Sequence, residues 1–483
     1  MEIKQVILHN IGPFETLNVP LAPTEQNPSN ITVFVGNNGA GKTSVLQALV
    51  TSLSWFITRL RTEKGSGKPI LEDSILNGAI AAAIEIDLKI SNHDYLTLLV
   101  NNSNSPQIDA HFQWTIAKTR RGRKAQYASN LNDCTKLVNH YRDALSQDKQ
   151  INIPLQISLP PKMNLPLIVF YPVERSILDI PLKIRTKHTF DQLDGYDNSL
   201  SQGVDFRRFF EWFREREDAE NESGISEDLL SRLKSLAVAN PEKASQLFNQ
   251  DISEVINTLN ASTRDRQLTS VRTAISKFMP HMDHLRVRRQ PRLHMAIDKN
   301  GETMNVAQLS QGEKSLIALV GDIARRLAIL NPALTNPLMG NGIVLIDEVD
   351  LHLHPSWQRS LCDRLIETFP NCQFVLTTHS PLVISDCKHI LVYELTNGTL
   401  QELPSQYGQD ANTVLLDVMH TGIRNEKINT ELNDLLDAIQ DSNLEQAKRL
   451  LAELITELPA NHIELVKAKL LLRKQELRHA NHS

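Results

Sequence analysis

One stretch, GNNGAGKTS at positions 36–44, constrains this chain more than any other. It directly follows the β-branched and aromatic run Ile31-Thr32-Val33-Phe34-Val35 and directly precedes a helical pattern. The spacing is G-x-x-x-x-G-K-[ST] in full, which predicts a strand, a glycine-rich turn and a helix, with the turn's backbone N–H groups converging on an anion. Gly36, Gly39 and Gly41 let the backbone turn without a Cβ in the way, and Asn37, Asn38 and Ala40 complete the turn. Lys42 places a point charge where β- and γ-phosphates would lie, and the helix that starts there adds the positive end of its dipole. Of the two hydroxyls that follow, Thr43 and Ser44, Thr43 is suited to coordinate magnesium. The expected ligands are ATP and Mg2+.

The flanking pattern places this turn in an α/β fold. Val45, Leu46, Leu49, Leu53, Phe56, Ile57 and Leu60 fall at helical spacing behind the turn, one buried stripe. Leu17, Val19 and Leu21 alternate ahead of it. Ile84, Ile86, Leu88 and Ile90 alternate with Glu85, Asp87 and Lys89, and the runs at 95–100 and 111–118 behave alike, so an antiparallel meander with one wet face is expected. LIVFY at 167–171 reads as a further strand ending at Pro172. From about 200 the chain becomes charged and helix-forming, which predicts a helical insertion over 201–284 between an N-terminal lobe, 1–200, and a C-terminal lobe, 285–407. LRVRR at 285–289 and RLHMAI at 292–297 read as strands, with a turn at 298–301. Residues 408–483 are helical in pattern, and their last part reads as a hairpin of two amphipathic helices over 441–459 and 461–479.

Three later stretches carry chemistry. GIVLIDEVD at 342–350 is an apolar strand run ending in carboxylates, so Asp347 would hold magnesium and Glu348, one residue on, would polarise an attacking water. CQFVLTTHS at 372–380 is another apolar strand ending in polar residues, with His379 placed to hydrogen-bond a γ-phosphate. LSQGEKS at 309–315 opens a helix with the apolar stripe Leu316, Val320, Ile323, Leu327 and Leu330. Two readings of that start stand side by side. Ser310 and Gly312 at a helix N-terminus form an anion site, while Ser310 and Glu313 have the spacing of a capping box.

The order of GNNGAGKTS, LSQGE, DE and His379 resembles the ABC-type ATPase heads, and within them the branch of SMC, RecF and related DNA-linked proteins. The resemblance implies an α/β P-loop head with a mixed sheet and an antiparallel subdomain, and a homodimer or higher oligomer in which two heads sandwich two ATP. Ser310, Gly312 and Glu313 of one subunit would then face the nucleotide held by Lys42 and Thr43 of the other, and Asp350 would contact the partner. The family's glutamine loop falls on Gln192 or Gln202 by position alone. VFYPVERSILDIPLKIR at 169–185, DLHLHPSWQ at 350–358 and YGQDANTVLLDVM at 407–419 are similar to the PtuA family, the ATPase subunits of the Septu anti-phage system that also occur beside some retrons. That likeness implies a complex with a separate HNH nuclease, PtuB, controlled by nucleotide state. The competing function on the same head is a RecF- or SMC-like repair or recombination ATPase.

Composition narrows the rest. A net charge of −5 argues against a wholesale nucleic-acid coat, but TRRGRK at 119–124 and Arg286, Arg288, Arg289 and Arg292 could contact DNA or other phage-derived nucleic acid, or form a solvated edge. Cys134, Cys362, Cys372 and Cys387 show no C-x-x-C pairing and are expected as buried thiols. His352 and His354 resemble metal ligands by type, yet lack a third ligand nearby. No apolar run is long enough for a membrane span and the N-terminus lacks a signal-like apolar region, so a cytoplasmic protein is expected. The helical tail holds no strand-borne acidic cluster, so no nuclease activity of its own is expected. Its acidic stripe, Glu431, Asp434, Asp437, Asp441 and Glu445, reads either as a solvated face or as a docking surface for a nuclease subunit.

Overall fold

The computed structural model describes residues 1–90, 110–151, 163–173, 190–201, 206–223, 265–422, 424–459 and 461–480. They divide into two compact units, Met1–Gln409 and Asp410–Ser483.

The first unit is built on a six-stranded sheet. Its strands β3 (Ile31–Val35), β6 (Leu167–Tyr171), β10 (Gly342–Ile346) and β11 (Cys372–Thr377) are buried along their whole length, which is why their sequences run apolar without alternation. With β12 (Leu391–Thr396) and β13 (Thr399–Leu403) the order is β13-β12-β3-β11-β10-β6, parallel except for the β12–β13 hairpin. The crossover order brings the C-terminal ends of β3, β10 and β11 together, the edge where an open parallel sheet receives ligands.

A second sheet, order β2-β1-β4-β5, is antiparallel and uses β1 (Glu2–Ile11), β2 (Phe14–Pro20), β4 (Ala81–Ile90) and β5 (Ala110–Thr119). In β4 Ile84, Ile86 and Leu88 are buried while Glu85, Asp87 and Lys89 are half-buried, so the alternation reports a one-sided core. β4 and β5 pair directly, and the 95–100 run expected between them lies outside the described residues. Buried Gln373 of β11 joins the two sheets: its Nε2 donates to the carbonyls of Ile3 at 2.8 Å and Ala22 at 2.6 Å, and its Oε1 accepts from the Ile3 N–H at 2.8 Å. A small third sheet, β7 (Met282–Arg288), β8 (His294–Lys299) and β9 (Glu302–Asn305), is a meander.

Helix α1 (Lys42–Arg61) buries the predicted stripe, and α2 (Asn132–Ile151) packs against it. Helices α3 (Phe206–Ser223) and α4 (Arg266–Phe278) are the described ends of the stretch read as an insertion. Both pack on α5 (Gln311–Leu330): Phe209, Phe210, Trp212 and Phe213 are fully buried, and the Phe209 ring lies so close to Gly321 of α5 that a Cβ there would come within 2.9 Å. Residues 224–264 lie outside the described residues. Helices α6 (Pro355–Thr368) and α7 (Pro381–Ser385) complete the unit, both opened by Pro in the first turn, where no N–H is needed.

The second unit is helical. After α8 (Ala411–Asp417), helices α9 (Glu426–Gln440), α10 (Leu444–Glu457) and α11 (Ile463–Ala480) share a core of Leu432, Leu435, Ile439, Leu451, Leu454, Leu465 and Leu472. The expected pair of amphipathic helices is α10 and α11, and α9 joins them in one core. The acidic stripe is therefore not continuous: Asp441 ends α9, Ser442 takes a left-handed φ of 59°, and the Asn443 side chain caps α10 by accepting from the Gln446 N–H. Glu445 belongs to the next helix. No helix among the described residues is long and apolar enough to cross a membrane.

Candidate nucleotide site

The turn after β3 is shaped by close approaches. Gly36 has φ 143° and Gly41 φ 100°; a Cβ on Gly36 would collide with the Leu395 carbonyl and one on Gly41 with the Phe14 ring. Only glycine satisfies both the dihedral and the space. Gly41 then caps α1 without any side-chain hydrogen bond, and the first turn carries no acidic residue. The leading N–H groups of α1 have no intrahelical partner, and the N-cap residue supplies no side chain to them. Asn37, Asn38 and Gly39 are exposed, and Ala40 and Ser44 half-buried.

Lys42 is 7% exposed, and its Nζ donates to the carbonyls of Gly36 at 2.7 Å and Asn37 at 3.1 Å. Burial pushes its pKa below the ordinary lysine value, a shift opposed by the attraction of Asp347, Glu348 and Asp350. The Thr43 hydroxyl donates to Asp347 Oδ2 at 2.9 Å. These residues are 304 positions apart, and the P-loop and the end of β10 meet at this bond. Asp347 is 2% exposed; its other oxygen accepts from Thr377 Oγ1 at the end of β11, and its N–H donates to the Tyr171 carbonyl at 2.9 Å. Glu348 stands at φ 45°, a backbone region unusual for a side-chain-bearing residue, with its N–H on Thr377 Oγ1 at 2.7 Å. Glu348 is half-exposed.

Asp350 folds back on the next strand end, where its carboxylate accepts from the Thr378 hydroxyl and, at 3.3 Å, from the His379 N–H. The His379 side chain is exposed at the same edge. Gln358 braces this region, donating to the Leu353 carbonyl at 2.9 Å and accepting from Ser380 Oγ at 2.7 Å. Thr377 and Gln358 were not singled out from the sequence; the pair of threonines directly ahead of His379 was the available signal.

Ser310 caps α5 in a complete capping box. Its Oγ accepts from the Glu313 N–H at 3.3 Å and donates to Glu313 Oε2 at 2.9 Å, while its own N–H donates to the same oxygen at 3.0 Å. Lys299 pairs with the other Glu313 oxygen at 2.8 Å. Burial alone would raise the Glu313 carboxyl, but Lys299 and Ser310 outweigh it and hold its pKa below the usual value. Gly312 lies against the backbone after the paired carboxylates: a Cβ there would come within 2.6 Å of the His352 carbonyl, and His352 itself has φ 64°. Among the described residues, no hydrogen bond joins Ser310 or Gly312 to Lys42 or Thr43.

Other candidates resolve as follows. Gln192 donates its amide to the carbonyls of Met163 at 2.7 Å and Leu330 at 2.9 Å, ahead of β6 and at the far end of α5, so its side chain is engaged away from the phosphate turn. Gln202 lies outside the described residues. His354 caps α6 through Ser356, and no metal-type cluster occurs among the described residues. Arg286 pairs with Asp298 at 2.8 Å, Arg289 with Asp218, and Arg120 donates to the carbonyls of Ala79 and Ile75. Arg288 and Arg123 are exposed. All four cysteines are buried and free.

A family model, the AAA ATPase domain, matches residues 1–384. The chain belongs to that family. It is an ATPase, and its relatives narrow the branch. The retron Ec83 probable ATPase of Escherichia coli is 33% identical over 430 residues, which span 84% of this chain and 73% of that protein. The retron Vc95 probable ATPase of Vibrio cholerae serotype O1 biovar El Tor is 33% identical over 394 residues, 79% of this chain and 72% of that one. The Septu protein PtuA of Bacillus mycoides (strain KBAB4) is 37% identical over 113 residues, 22% of this chain and 15% of that protein, in line with the PtuA resemblance read from the sequence. Among solved structures, the SMC head bound to the C-winged helix domain of ScpA superposes over 83% of this chain and 97% of that one, with a TM-score of 0.42 and 15% identity.

Proposed function

We propose that this ATPase hydrolyses ATP between two copies of the chain and thereby controls a separate HNH-type nuclease in an anti-phage defence complex. The observation that carries the reading is the Thr43–Asp347 bond at 2.9 Å beside the buried Lys42, which assembles phosphate cradle and carboxylates at one sheet edge. A hydroxyl and a carboxylate in contact are hard oxygen donors of the kind magnesium takes, so Thr43 and Asp347 would hold Mg2+, which when bound neutralises phosphate charge. On nucleotide binding Lys42 exchanges the Gly36 and Asn37 carbonyls for phosphate oxygens. Glu348, half-exposed and at a left-handed φ, takes the proton of the attacking water, and His379 donates to the γ-phosphate. Ser310 and Gly312 of the second copy close the site from the opposite side.

The names carried by the relatives, retron ATPases and Septu proteins, support the defence setting. Residues 408–483 are the proposed dock for the nuclease subunit. Light scattering should show a mass near twice that of one chain for Glu348→Gln with ATP and magnesium, and near one chain without nucleotide. Deleting 425–483 should leave that transition and ATP hydrolysis in place while abolishing co-purification of the nuclease. A deletion variant that still brings down its nuclease at full stoichiometry places the dock elsewhere, and an unchanged mass with nucleotide removes the shared site.

A further inference from the structure

Helix α5 carries three charged residues where an apolar stripe would be cheaper. Asp322, Arg325 and Arg326 are 0%, 3% and 1% exposed. Removing such charges from water costs several kcal/mol per ion, so each needs dense pairing. Asp322 Oδ1 accepts from Arg325 Nη2 at 2.6 Å and Oδ2 from Arg326 Nε at 2.7 Å. Arg326 Nη1 continues to the carbonyls of Gly195 at 2.7 Å and Asp197 at 3.0 Å. The Asp197 carboxylate in turn pairs with Arg61 in the last turn of α1 and with Arg208 of α3.

One further bond leads to the site. The Tyr171 hydroxyl donates to Asp322 Oδ2 at 3.0 Å, with Tyr171 fully buried at the end of β6. Burial first and the Asp322 charge second push the phenol well above its ordinary pKa, so it is a fixed donor. Burial would raise the Asp322 carboxyl, but Arg326 and Arg325 outweigh it and bring it to about 2, so it is a fixed acceptor. The backbone carbonyl of the same Tyr171 accepts the Asp347 N–H at 2.9 Å, one residue beyond the end of the β6–β10 ladder. Asp347 is thus held from the β11 side by the Thr377 hydroxyl and from the β6 side by Tyr171, whose ring is tied to α5.

We propose that Tyr171 is a positioning residue for the metal-holding carboxylate: its bond to Asp322 fixes the end of β6, and with it Asp347, to the helix that begins at Ser310. This rests on the ATPase reading and on Asp347 serving magnesium. The consequence is directional. α5 touches the site twice, at Gly312 against the His352 carbonyl and at Asp322 through Tyr171, so a displacement of α5 by a second copy at its N-terminus reaches both ends of the DEVDLH segment. Misplacement of a reacting group by about 1 Å costs on the order of 100-fold in rate, and loosening one support of Asp347 while the Thr43 and Thr377 bonds remain is expected to cost less, about 10-fold.

The test is Tyr171→Phe in the full chain, which deletes one hydroxyl and keeps the ring. ATP affinity measured with EDTA should match wild type. The gain in ATP affinity on adding magnesium should shrink about fivefold or more, half-saturating magnesium for hydrolysis should rise, and kcat should fall about 10-fold. Asp322→Glu, which keeps the charge and moves the carboxylate, should shift the magnesium dependence in the same direction. If Tyr171→Phe lowers Tm while magnesium dependence and kcat stay at wild-type values, Tyr171 is only a packing residue and the proposal fails. Absence of magnesium-dependent hydrolysis in the wild type instead removes the proposed magnesium role of Asp347 on which this inference rests.

Discussion

Two helix N-termini in this molecule look alike in sequence and are opposites in structure. α1 begins at Gly41 with no side-chain cap and no acid in its first turn, whereas α5 begins at Ser310 with a full capping box and Glu313 further fixed by Lys299. Both are anion sites by geometry. The first carries no side-chain cap and is backed by a buried lysine whose Nζ donates to the loop carbonyls of Gly36 and Asn37. In the second, the Ser310 hydroxyl and N–H both donate to the Glu313 carboxylate, and the Glu313 N–H donates to Ser310 Oγ. An open terminus binds an anion at once. A closed one needs an approaching phosphate to compete with Glu313, as the proposed engagement of a second copy's nucleotide would require.

The largest test of this contrast strips the open terminus. Lys42→Ala should lose ATP binding and lower hydrolysis by about 10²–10³-fold, while Glu348→Gln should lose hydrolysis by a comparable factor and keep binding. Titration calorimetry beside an ATPase assay separates them, and equal ATP affinity in wild type and Lys42→Ala would dissolve the site.

A smaller effect probes the closed terminus. Ser310→Ala removes the cap and should cost about 1 kcal/mol of stability. If Ser310 also faces a partner's nucleotide, Ser310→Arg alone should abolish turnover, and mixing it with Lys42→Ala should restore at most one working site per heterodimer. Ser310→Arg with near-normal turnover makes the motif a cap and nothing more.

The smallest effect is a pH dependence. Lys42 in the free protein has a pKa below the ordinary 10.5 because burial disfavours its charge, and that penalty applies below the lowered pKa and is relieved as pH rises through it. Phosphate restores the charged form, so bound Lys42 has the higher pKa. ATP affinity should therefore fall as pH rises from the free-protein pKa of Lys42 toward 10.5, by at most about tenfold per unit, with proton uptake on binding at that pH. Lys42→Arg should flatten the profile, and a wild-type profile flat up to pH 10.5 would mean that Lys42 keeps its charge without phosphate.

The sequence by itself determined whatever depends on neighbours along the chain. GNNGAGKTS contains its own turn, lysine and hydroxyl within one strand-to-helix passage, and the capping box of α5 lies within four residues, so both were legible from spacing. The doubly buried strands were legible because the centre of a parallel sheet admits no polar face. Only the tertiary structure decided what meets across the sheet. Strand order β3-β11-β10-β6 places Thr43 on Asp347, Thr377 between Asp347 and Glu348, and Tyr171 under Asp347, pairings set by crossovers and invisible to any local period. It also decided the fate of charge. Arg120 within the basic run 119–124 satisfies two backbone carbonyls, Gln192 is engaged at the far end of α5, and the acidic stripe of the tail is cut by a left-handed Ser442. Composition counts such groups without regard to partners, whereas burial makes an unpaired one too costly to keep, so the fold and not the spacing assigns their roles.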